Sequence, residues 1–201
     1  LAHLRQLAEK YECAVHAYCL MTNHVHLLMT PGAAEACTAL MRDLGQRYVQ
    51  YFNRRHDRTG TLWEGRFRSC VVESARYVLG CYRYIESNPV RARMVDHPTG
   101  YLWSSYAMNS GMRTDPLICA HAEYSALASD PERRHSAYRA MRKDAPEEED
   151  AAEETSENAA VPAIDLVPSG IVELVRSLPA RTNHRCLPSR SYFATSMSDA
   201  A

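Results

Sequence analysis

Residues 14–30 read AVHAYCLMTNHVHLLMT, and this stretch decides the fold. Ala14 to Leu20 and His24 to Thr30 are two β-rich runs, separated only by Met21-Thr22-Asn23. Two such runs with a short link make an antiparallel hairpin. Pro31-Gly32 closes it, because those residues break strands. Upstream, Leu1, Leu4, Leu7 and Ala8 recur at helical spacing, so Leu1 to Tyr11 predicts an amphipathic helix. Downstream, Leu40, Met41, Leu44, Tyr48, Tyr51 and Phe52 carry helical periodicity from Glu35 to about His56. Asp57 to Gly65 is a loop with two glycines. Arg66 to Glu73 alternates and reads as a strand. Ser74 is a candidate N-cap for a helix from Ala75 to about Ser87. Pro89 should limit that helix, since the residue before a proline is biased away from helical backbone.

The order is helix, strand, strand, helix, strand, helix. That predicts an α+β two-layer sandwich, an antiparallel sheet with helices on one face. A ferredoxin-like βαββαβ unit would need one more strand before Leu1, so the expected fold lacks its first strand. Beyond it, Pro98 to Tyr106 is turn-rich with Trp103 and Tyr106 as aromatic anchors. His121 to Met141 predicts one or two short helices, and Ile171 to Leu178 another. From Ala145 to about Pro162 the chain is acidic and poor in large apolar groups, the composition of a disordered linker. No pattern follows Pro179. The expected domains are 1–110 as the catalytic unit, 111–143 as a helical extension, and 144–201 as a mostly disordered acidic linker and tail.

The formal net charge of −1 names no partner, but its distribution does. Arg42 to Arg93 holds 11 Arg and no Lys against 5 acidic residues, a basic body suited to a polyanion. The 7 cysteines are odd in number and show no C-x-x-C spacing, which argues against a zinc ribbon and a disulfide framework. They read as free thiols in a reducing cytoplasm. No apolar run approaches the ~18 residues of a membrane span.

Two constellations carry chemistry. In Asn23-His24-Val25-His26, strand alternation sends both imidazoles to one face, about 7 Å apart along the strand. They can close on one divalent ion, or be two surface histidines. In Tyr84-Ile85-Glu86-Ser87-Asn88, helical spacing presents Tyr84 and Asn88 together. The carboxamide can be a third metal ligand and the phenol a nucleophile for phosphodiester cleavage. Tyr77 and Tyr82 compete for that role, but neither has an Asn one turn later. Arg47, Arg54, Arg55, Arg66, Arg68 and Arg91 form a basic set interleaved with Tyr48, Tyr51, Phe52, Trp63 and Phe67. Arginines hold phosphates and aromatics stack bases, which suits single-stranded or hairpin DNA. A small metallohydrolase is the third reading; it needs a carboxylate near the metal, with Glu73 and Glu86 available.

The segments HAYCLMTNHVHLLMTP, YVQYFNRRHDRTGTLWEGRFRS, RYIESNPVRARMV and WSSY occur in this order. Together they resemble the single-tyrosine HUH transposases of bacterial insertion sequences, and within them the REP-associated tyrosine transposases. The resemblance spans about Leu1 to Tyr138. It implies a ferredoxin-like catalytic domain that cleaves and rejoins single-stranded DNA through a 5′-phosphotyrosine, leaving a free 3′-hydroxyl. It implies Mg²⁺ or Mn²⁺ at His24 and His26, with Asn88 completing the metal site and Tyr84 as nucleophile. The implied partner is hairpin or palindromic-repeat DNA, bound by a monomer or homodimer in the bacterial cytoplasm at the nucleoid, with no membrane. The alternative is a truncated relic that binds DNA without cutting it.

Overall fold

The computed structural model describes residues 1–63, 65–72, 75–141 and 171–177, the last segment and residues 75–76 as backbone. Helix α1 (Ala2–Lys10) buries Leu4, Leu7 and Ala8, the stripe that its spacing defines. Strands β1 (Ala14–Leu20) and β2 (His24–Thr30) pair antiparallel from Ala14 opposite Thr30 to Leu20 opposite Val25. A bulge between Val15 and Ala17 shifts the register. Helix α2 (Ala36–His56) ends where Asp57 turns left-handed at φ 48° and its N–H bonds to the Asn53 carbonyl. Arg54, Arg55 and His56 in its last turn complement the negative end of the helix dipole. Strand β3 (Arg68–Val72) and helix α3 (Ala75–Arg91) follow. A 3-10 turn (Pro98–Gly100) and helices α4 (Tyr106–Asn109), α5 (Ala122–Ala126) and α6 (Pro131–Met141) complete the described helices.

The α+β sandwich and its extra C-terminal helices are as the pattern predicts. The distribution of helices differs in one respect: they cover both faces of the sheet, not one. Val15, Leu27 and Met29 pack with α1 and α2. Ala17, Cys19 and Leu28 pack on the opposite side with Val78, Cys81, Tyr82 and Ile85 of α3. The cause lies in β2 itself. His26, Leu27, Leu28 and Met29 are consecutive and all buried, and a strand buried on both faces needs a layer on each. Each fully buried aliphatic side chain there contributes roughly 1.5–3 kcal/mol.

Helix α3 also runs past the expected stop, through Pro89 to Arg91. Proline lacks the N–H that would reach the Ile85 carbonyl, so one helical bond is lost. The loss falls in the last turn, where few bonds remain, and Pro89 is buried there. Beyond it, Ala92 N–H donates to the Asn88 carbonyl at 2.8 Å and Met94 N–H to Pro89 at 2.9 Å.

The short helix expected at 171–178 is instead strand β4 (Ile171–Ser177). The sheet order is β1-β2-β4-β3, and β4 is antiparallel to both neighbours. It fills the central position that the sequence pattern leaves open. A seven-residue isolated helix is marginal in water. A strand between β2 and β3 satisfies its backbone groups on both sides and removes two open edges. The outer edge of β1 is covered as well: Leu20 N–H donates to Trp103, and Cys119 N–H to Val15. The predicted Ser74 cap, Glu73, the acidic linker and the tail after Pro179 lie outside the described residues.

Candidate active site

Alternation along β2 places His24, His26 and Leu28 on the face that α3 covers. His26 is 2% exposed and His24 half-buried. Their ring centroids are 4.8 Å apart, edge to face. The Tyr84 ring sits against His26, centroids 5.7 Å apart and planes at 85°. Tyr84 is half-buried at the margin of the α3 core stripe. One turn on, Asn88 Nδ2 donates to the Tyr84 carbonyl at 3.0 Å, which leaves Oδ1 as the end able to face a cation. Two turns on, the Arg91 guanidinium lies 4.8 Å from the centre of the Tyr84 ring.

His24 suits a metal in its protonation as well as its placement. Burial, then repulsion from His26, pushes the His24 imidazole down to about 4. It is therefore neutral near pH 7, the form that ligates. Its Nδ1–H donates to Asn23 Oδ1 at 2.7 Å, which fixes the tautomer and leaves Nε2 with the free lone pair. No group of three or more His, Cys, Asp or Glu able to hold a metal occurs among the described residues. Among the described residues, a third protein ligand would therefore be of another residue type, such as Asn88.

The other tyrosines separate cleanly. Tyr77 is 64% exposed. Tyr82 is fully buried, stacked on Tyr124 at 5.7 Å, and burial drives its phenol well above the ordinary range. It belongs to the core beneath the C-terminal helices, as its rotation of about 200° from Tyr84 requires.

Glu86 is not a metal carboxylate here. It lies on the core side of α3, 1% exposed, and accepts hydrogen bonds from Ser105 Oγ (2.5 Å), Asn109 Nδ2 (2.7 Å) and Tyr138 Oη (2.5 Å). Burial pushes its carboxyl up to about 7, with the three donors pulling the other way. Sequence reasoning passed over this network. Its one local sign was that Glu86 stands four residues after Tyr82, on the apolar stripe.

The basic set is dispersed. Of the six, Arg91 lies against Tyr84. Arg54 and Arg55 are exposed on α2, which lies across the sheet from α3, and half-buried Arg47 donates to Gln6 Oε1 at 3.2 Å. Arg66 and Arg68 are exposed at and before β3. Of the interleaved aromatics, Tyr48, Phe52 and Trp63 pack together: Trp63 lies 5.5 Å from Tyr48 and donates its Nε1–H to the Gly45 carbonyl, tying it back onto α2, while Phe67 packs on the α1–α2 core. Tyr51 is the exception, 59% exposed.

Residues 1–88 match the family model of IS200-like transposases. The segment similar to that family thus includes His24, His26, Tyr84 and Asn88. Segment 98–141, which packs on the other side of α3, lies beyond the match. Neither a curated protein nor a solved structure matches the chain significantly. No described helix is long and apolar enough to cross a membrane.

Proposed function

We propose that this protein is a transposase-like strand transferase of the single-tyrosine, REP-associated kind, acting on single-stranded or hairpin DNA. The observation that carries the reading is the Tyr84 phenol ring resting against His26, within a paired-histidine strand. The match of residues 1–88 to IS200-like transposases supports it independently.

His24, His26 and Asn88 would hold Mg²⁺ or Mn²⁺, a set of two imidazoles and a carboxamide that leaves positions for phosphate oxygens. When bound, the ion would supply charge stabilisation at the scissile phosphate and at the leaving oxygen. The Tyr84 oxygen attacks phosphorus and loses its proton. The bond to the 3′-oxygen breaks, and that oxygen leaves as a hydroxyl. The 5′-phosphotyrosine conserves the bond energy, so a 3′-hydroxyl can reverse the step and rejoin DNA. Arg91, against the Tyr84 ring, offers a cation to the phenolate or to a neighbouring phosphate. Arg47, Arg54, Arg55, Arg66 and Arg68 are the further phosphate-binding residues of this reading.

The test incubates the full chain with hairpin DNA and Mn²⁺ and resolves covalent protein–DNA adducts by denaturing electrophoresis. A metal-dependent adduct is expected from the native protein and none from Tyr84→Phe. An undiminished adduct from Tyr84→Phe rejects the assignment. Hairpin binding without any adduct leaves a DNA-binding relic.

A further inference from the structure

We infer that Glu86 is a positioning residue: its buried carboxylate fixes the rotation of α3 and so holds the Tyr84 phenol beside His26. The inference rests on the reading of Tyr84 as nucleophile, but its geometry can be tested apart from chemistry.

The three donors to Glu86 are themselves tied down. Ser105 Oγ accepts from Tyr18 N–H at 2.9 Å, and Ser105 N–H donates to the Tyr18 carbonyl at 3.0 Å. Asn109 Nδ2 also reaches the His16 carbonyl at 3.3 Å. Both anchors are on β1, the strand hairpinned to the histidine-bearing β2. Tyr138 comes from α6 and is 2% exposed, packed against Tyr82 and Tyr124. One carboxylate thereby joins α3 to the histidine hairpin and to α6.

Glu86 stands two residues from Tyr84, so the two point to roughly opposite sides of the helix. Apolar contacts alone tolerate a small roll of a helix on a sheet. Three hydrogen bonds to one buried carboxylate do not, because each is directional and leaving a donor unmet is costly. A roll that broke them would swing the phenol away from His26. Misplacing a reacting group by about 1 Å can cost on the order of 100-fold in rate. Glu86 is 1% exposed, closed off from anything bound at the surface, so it acts through Tyr84.

The experiment compares native protein with Glu86→Gln, Ser105→Ala and Tyr138→Phe, each first shown to be folded by circular dichroism and by its melting temperature. Two quantities are read: hairpin affinity and the single-turnover rate of adduct formation with Mn²⁺. Affinity within about two-fold of native, with the rate reduced roughly ten- to hundred-fold, is expected for Glu86→Gln. Smaller losses are expected for the single-donor variants. The second readout is the NMR cross-relaxation between ring protons of Tyr84 and His26, present in the native protein and weakened in Glu86→Gln. Unchanged ring contacts in folded Glu86→Gln overturn the inference. So do rates that fall only in proportion to the unfolded fraction. If native protein forms no adduct while the ring contacts depend on Glu86, the nucleophile reading fails and the positioning role stands.

Discussion

Replacing Glu86 by Gln should change how stability depends on pH. The carboxyl rises from 4.5 to about 7 on burial, so the folded chain holds this proton more tightly than the unfolded chain. A folded value above the unfolded one contributes stability that is full below pH 4.5 and is lost as pH rises through 7. For this pair of values the contribution is on the order of 2–3 kcal/mol at pH 5 and near zero at pH 8. Gln has no such proton. Guanidinium unfolding of both proteins at pH 5, 6, 7 and 8 isolates the effect, since every other titrating group cancels in the difference. Native stability minus that of Glu86→Gln should fall by roughly 2–3 kcal/mol from pH 5 to pH 8, most steeply near pH 6. A flat difference would mean that the Ser105, Asn109 and Tyr138 donors fully offset burial. A difference rising with pH would mean that they overwhelm it, and the account of the site's burial would be wrong.

Three further outcomes follow from the fold and the site. Leu28→Ala empties the space between β2 and α3 and should cost about 2–5 kcal/mol in denaturant unfolding; a smaller cost would mean that α3 does not pack on β2. Val175→Pro removes a ladder N–H from the strand between His26 and Arg68 and should destabilise by roughly 3 kcal/mol, whereas an unchanged melting temperature would place β4 outside the sheet. His24→Ala and His26→Ala should each lower Mn²⁺ affinity by roughly ten-fold or more in calorimetric titration, and equal affinity in all three proteins would remove the metal from this site.

The hairpin was legible because it is local. Period two over residues 24–30 sets which side chains share a face, and a three-residue link brings the two strands side by side. The second covered face was legible too, in the unbroken run Leu27-Leu28-Met29, but an order of elements does not say where the helices go. Pro89 misled because the bias on the residue before it was read as a stop, yet at a helix end the missing bond costs little and burial of the ring compensates. Residues 171–177 misled for a different reason. Ile-Val-Glu-Leu-Val is short and compatible with either structure, and what decides it is a slot created by β2 and β3, about a hundred residues or more upstream.

The candidate site divides along the same line. His24 with His26, and Tyr84 with Asn88, are spacings of two and four, which strand and helix periodicity display directly. The partners of Glu86 lie 19, 23 and 52 residues away, and no local rule joins them. Yet these long-range bonds give the short-range pattern its value. A phenol at the right helical phase is only a surface tyrosine until the helix is held in one rotation against the strand carrying the imidazoles. Apolar packing of Val78, Cys81 and Ile85 supplies attraction without a fixed angle, and the buried carboxylate supplies the angle. The cost is the desolvation that lifts Glu86 to about 7, and a carboxylate retained in the core against that cost is what a directional constraint on α3 requires.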